Sequence, residues 1–103
     1  MTFKKILETT AAFYDVGIKD ICGARRTKEL VRARQIVCYL ARKELNKSSP
    51  YIGRGLGGRD HTTVLYAVRK IALDIHENRD LSHEIDSILK LIKGGGGYAE
   101  EYF

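Results

Sequence analysis

No run of about 18 apolar residues occurs in this 103-residue chain, so nothing in it reads as a membrane span. Lys4 and Lys5 precede "ILETTAAFYDVG", a stretch too interrupted by polar residues to be the apolar core of a signal peptide. A cytoplasmic location is therefore expected. Cysteine is scarce: Cys22 and Cys38 stand alone, without the C-x-x-C pair or larger even set that a disulfide framework or redox motif uses. Both are expected as reduced, buried thiols. His61, His76 and His83 lack the H-E-x-x-H or finger spacing of zinc ligands, so no metal is expected. A G-x-x-x-x-G-K-[ST] loop is absent too, which removes the phosphate cradle of the nucleoside triphosphatases. Alternating apolar and polar residues, the mark of a half-buried strand, appear nowhere, and there is one proline.

What is present is helical periodicity and lopsided charge. A hydrophobic content of 44% suits one globular domain. Phe3, Ile6, Leu7, Thr10, Phe13 and Tyr14 recur at three- and four-residue intervals, giving a first helix broken by Gly17. "IKDIC" allows a short second helix that Gly23 can stop. After the basic stretch "ARRTKE", a long helix runs from about Leu30 to Leu45 and turns at Asn46 to Ser49. Serine followed by Pro50 signals a new helix, with proline at its first position, where an N–H would be unpaired anyway. Glycines keep it short. A further helix starts at Arg59 or Asp60, with Val64, Leu65, Val68, Ile71, Ala72 and Ile75 on its buried side. A last one spans about Leu81 to Ile92, with Ser82 as its cap.

The net charge of +5 hides an asymmetry. From Arg25 to Lys70 there are twelve basic residues against three acids, so this segment carries +9 and the remainder −4. Such a footprint suits a polyanion binder. The domain is expected over residues 1–93, and Gly94 to Gly97 open a flexible tail ending in "YAEEYF", which could dock on another protein.

The most chemically suggestive stretch is "GRGLGGRDHTT", Gly53 to Thr63. Gly53, Gly55 and Gly58 satisfy G-x-G-x-x-G, yet the dinucleotide motif needs a strand before it, and "NKSSPYI" is a turn and a helix start. No cofactor is expected. Asp60 and His61 are helix neighbours, pointing about 100° apart, and no nucleophile is tied to them by spacing, so no catalysis is expected either. A short capped helix, a glycine turn and a helix with a polar first turn instead match a helix–turn–helix. In that motif the start of the second helix reaches base edges in the major groove. Asp60 can cap that helix or accept a hydrogen bond from a cytosine amino group, and His61 can donate to or accept from a base. Thr62 and Thr63 offer hydroxyls or methyl contact to thymine.

"GGRDHTTVLYAVRKI", Gly57 to Ile71, resembles the signature of the C-terminal DNA-binding domain of the bacterial replication initiator DnaA. Upstream, "RRTKELVRARQ" is similar to that domain's basic loop, and "RQIVCYLARKELNKSSPYIG" to its long helix and the first helix of its helix–turn–helix. The resemblance covers roughly Phe3 to Ile92. It implies an all-α, compact helical fold with a Trp-repressor-type helix–turn–helix that binds double-stranded DNA at a DnaA box. It implies further that Arg26 enters the minor groove and that Asp60, His61, Thr62 and Thr63 begin the recognition helix. Arg34, Gln35 and Arg42 fall on or near the DNA backbone, as does the Ser49–Pro50 start of the short helix, while Arg59 is a phosphate contact or a structural arginine. Ala33 stands where the family usually has proline, and Leu56 where it has an aromatic residue. The distribution of residues in "ARKELNKSSP" also departs from the family pattern. Lacking an ATPase module, the chain is expected to be either an excised domain or a small stand-alone relative, and its "MTFKKI" start and "GGGGYAEEYF" end favour a free-standing, nucleoid-associated protein that regulates replication initiation or transcription. The competing expectation is a protein-interaction module of the replication or transcription machinery that has kept the fold.

Overall fold

The computed structural model describes residues 1–97. The chain folds into six helices with no strand among the described residues: α1 (Phe3–Phe13), α2 (Ile18–Ile21), α3 (Lys28–Leu45), α4 (Ser49–Gly55), α5 (His61–Asp74) and α6 (Arg79–Gly97). This is the all-α architecture that the periodicity predicts.

Side-chain caps fix most of the helix starts. The hydroxyls of Thr2, Thr27 and Ser48 accept from the backbone N–H three residues on, at 3.1–3.2 Å. Asp60 accepts from Thr62 N–H at 2.8 Å. Each such bond satisfies one of the orphan donors of a helix N-terminus. Because Thr27 is a cap, α3 begins at Lys28, two residues before the apolar pattern does. Ser48 rather than Ser49 caps α4, so Pro50 falls at the second helical position. For α6, Asn78 Oδ1 accepts from Leu81 N–H at 3.0 Å, and the expected cap Ser82 lies inside the helix.

The stops are less regular. α1 ends where Asp15 takes a left-handed φ of +54°, with Val16 N–H on Ala11 C=O at 3.0 Å and Asp15 N–H on Ala12 C=O at 3.2 Å. That is a Schellman stop. Gly17, expected to break α1, is instead the residue that precedes α2. Asn46 ends α3 with φ +52°. α6 continues past the buried Ile92 through the glycine run to Gly97. The aromatic and acidic end of the expected tail, residues 98–103, lies outside the described residues.

α3 is the axle of the domain. Ala33, Ile36, Val37 and Leu40 are fully buried, and α3 packs against α5 most extensively and against α1, α2 and α4 as well. Leu56, at the family's usual aromatic position, is also fully buried. Burying each such Leu, Ile or Val side chain contributes roughly 1.5–3 kcal/mol. α6 packs on α1, near whose end Tyr14 donates to Glu84, and is tied to α3 by Lys93, which pairs with Glu44 at 3.7 Å. The Tyr14 phenol is pushed well above its ordinary pKa by burial and then by Glu84, so it stays a donor. Among the described residues, the fully buried Thr10 Oγ1 lacks a hydrogen-bond partner.

Candidate nucleic-acid interface

The glycines of "GRGLGGRDHTT" build the corner between α4 and α5. Gly57 and Gly58 have φ of +87° and +86°, a conformation that costs any residue with a Cβ. A Cβ on Gly57 would also stand 2.1 Å from the Cys22 carbonyl oxygen. Gly53 is held differently: its carbonyl accepts from Arg59 N–H at 2.8 Å and Gly58 N–H at 3.0 Å, and a Cβ there would meet Arg59 O at 2.2 Å. The backbone of α4 thus lies directly on the residue before the α5 cap. Of the glycines in the spacing that looks like a nucleotide loop, Gly53 and Gly55 leave no room for a Cβ against Arg59 and the Phe3 ring, and Gly58 supplies the left-handed backbone.

Two arginines lock this corner to the loop between α2 and α3. Arg59 donates to the carbonyls of Leu56 and Gly23. Arg34 donates through Nε to Ile21 O at 2.6 Å and through Nη2 to Asp20 O at 2.7 Å and Gly23 O at 3.0 Å. These carbonyls lie at and just beyond the C-terminus of the short α2, where a cation is favoured. Burial, with Arg59 and Arg26 nearby, holds the Arg34 guanidinium below its ordinary pKa. Arg34 is only 8% exposed. Arg34 is thus held at the cleft wall by the protein's own carbonyls, and of the two roles open to Arg59 its hydrogen bonds display the structural one.

At the start of α5, both Thr62 N–H and Thr62 Oγ1 (2.7 Å) donate to the same oxygen, Asp60 Oδ1. Those two bonds, the side-chain one first, hold the Asp60 carboxyl below its ordinary pKa. Asp60 is thus the cap. The Thr62 hydroxyl hydrogen is engaged within the protein, so toward a base Thr62 offers its lone pairs and methyl group. His61 Nδ1 stands 3.6 Å from Asp60 Oδ1, beyond a hydrogen bond. Asp60, His61, Thr62 and Thr63 are all exposed, on one polar helix start.

Between this helix and α3 lies a cleft of about 390 Å³. Arg26 from the basic loop, Gln35 from α3 and Thr63 from α5 line it, with Arg34, Arg59 and Tyr66. Its lining contains three guanidinium groups and no acid. Cys38 lies at its inner wall, buried, with its thiol pushed up to about 12 by burial. Cys22 is half-buried, its Sγ 3.7 Å from the Gly55 carbonyl oxygen. Both are free thiols.

The remaining candidates sit apart, where α3 ends and α4 begins. Arg42 is exposed and donates to Lys47 O at 3.3 Å across the turn. Pro50 is exposed, but Ser49 is buried at 6%, leaving Ser48 as the serine on the surface. Lys47 Nζ lies 4.6 Å from the centre of the Tyr51 ring, a cation–π pair that charge counting alone does not reveal. Tyr66 was equally invisible as a site residue, although its place four residues after Thr62 puts both on one helix face.

Comparison with known proteins agrees with this architecture. The family model described as the bacterial dnaA protein helix–turn–helix matches residues 3–71. The chain is 43% identical over 94 residues to the chromosomal replication initiator protein DnaA of Paraburkholderia xenovorans (strain LB400), covering 91% of this chain and 17% of that protein. It is 43% identical over 88 residues to the DnaA of Lactococcus lactis subsp. cremoris (strain MG1363), covering 85% of this chain and 19% of that protein. The chain thus spans less than a fifth of the length of these relatives. On the extent of the family match, together with the corner and helices just described, this chain belongs to the bacterial DnaA helix–turn–helix family.

Proposed function

We propose that this domain binds double-stranded DNA in a sequence-specific manner at sites resembling DnaA boxes. By occupying those sites it regulates replication initiation or transcription. The observation that carries the reading is the opposition across one cleft of Arg26 and the exposed polar start of α5. A basic side chain on a loop and a helix N-terminus, set side by side, suit adjacent minor and major grooves. In this reading Arg26, Asp60, His61, Thr62 and Thr63 face base edges. Gln35, Arg42, Lys47, Ser48 and Pro50 lie along phosphates, while Arg34 and Arg59 shape the site from within.

Phosphate contacts give affinity, and base contacts give selectivity. Selection from a pool of random duplex DNA tests the proposal: enrichment of one box-like sequence is expected. Recovery of an unenriched pool would remove the specific reading and favour a protein-interaction module built on the same fold.

A further inference from the structure

Tyr66 is 62% exposed, an unusual exposure for an aromatic ring on a helix that packs into the core. It follows Thr62 by one turn of α5 and lines the cleft shared by Thr63, Gln35 and Arg26. Tyr66 is therefore at the cleft, one turn beyond the polar helix start and on the same wall as Thr63. Resting on the duplex-binding reading, the geometry has a simple corollary. If Arg26 occupies one groove and the start of α5 the next, the sugar–phosphate strand that separates the two grooves must pass over this cleft. The cleft suits that anion, because its lining holds three arginines and no carboxylate.

We infer that Tyr66 is a positioning residue for that strand: its phenolic O–H donates to a phosphate oxygen and its ring packs against the adjoining sugar. It holds the duplex between the two reading elements and carries no base preference of its own.

The test compares Tyr66→Phe and Tyr66→Ala with the unaltered protein on the selected duplex and on a scrambled duplex of equal length. Tyr66→Phe is expected to weaken both by similar factors, on the order of tenfold, the loss of one hydrogen bond to a charged acceptor. Replacing single phosphates in turn by uncharged methylphosphonates should locate one whose neutralisation weakens the unaltered protein but scarcely affects Tyr66→Phe. Leu73→Ala, at a 70% exposed position farther along α5, is the control and should bind as the unaltered protein does. Tyr66→Phe binding as tightly as the unaltered protein would overturn the inference alone. So would a loss confined to the selected duplex, which would make Tyr66 a base reader, or equal losses in Leu73→Ala. No affinity of the unaltered protein for any duplex would instead overturn the parent reading, and the inference with it.

Discussion

Arg34 and Arg59 donate to one carbonyl oxygen, that of Gly23. The long helix α3 and the turn before α5 thereby grip the same point of the basic loop. Replacing Arg34 by Lys keeps the charge but loses the fork that spans three carbonyls. We expect a loss of about 3 kcal/mol in urea unfolding, because hydrogen bonds from charged groups contribute roughly 1.5–3 kcal/mol and more than one disappears. The salt dependence of DNA binding should be nearly unchanged.

The two left-handed glycines separate strain from collision. Gly58→Ala meets no atom within 4 Å and should cost about 1–2 kcal/mol, the penalty of the backbone conformation. Gly57→Ala carries the same penalty and drives a methyl group into the Cys22 carbonyl. It should unfold at clearly lower denaturant than Gly58→Ala, and equal midpoints would contradict the geometry.

Thr10 buries a hydroxyl with no partner among the described residues. Thr10→Val keeps the branched shape and removes the unsatisfied group, so a gain of about 1 kcal/mol is expected, seen as a higher melting temperature. Affinity for DNA should not change, as α1 lies away from the cleft lining.

The cap at Asp60 predicts a pH effect. Its folded-state pKa is depressed, so its contribution to stability is present above the unfolded-state value and is lost as pH falls through the folded one. Asp60→Asn can still accept from Thr62 but lacks the charge, so it should be less stable than the unaltered protein near neutrality and should lose this part of the acid limb. Urea midpoints measured from pH 7 down to pH 3 would show the two curves converging.

Base readers and phosphate contacts differ in kind. His61→Ala should cost roughly 1–3 kcal/mol on the selected duplex and little on a scrambled one. Arg42→Ala should weaken both alike and reduce the salt slope by about one phosphate's worth, near 0.9. Binding isotherms at several salt concentrations distinguish the two.

Helix positions were legible because burial in one shared core imposes a 3.6-residue period on the longer helices. Boundaries were less so. The stop at Asp15 depends on a left-handed backbone that aspartate adopts uncommonly, and the choice of Asn78 over Ser82 depends on which side chain meets an unpaired N–H. Charge was legible but its direction was not: Arg34 and Arg42 look alike in sequence, yet one is folded onto carbonyls and the other lies on the surface. The glycine spacing was readable as a turn, while the reason for Gly53 and Gly57 lies in atoms of Arg59 and Cys22 that only the tertiary structure brings near.

The shared Gly23 carbonyl also turns the domain into a gauge of length. Since the loop bearing Arg25 and Arg26 is fastened to the same point as the turn before α5, the distance between the two reading elements is set by the protein. On the proposed reading, one base pair inserted between the bases they contact would displace the two halves of the site by about 3.4 Å and about a tenth of a turn. The shared anchor resists that displacement, so on this reading a site is defined by its internal spacing as well as by its letters.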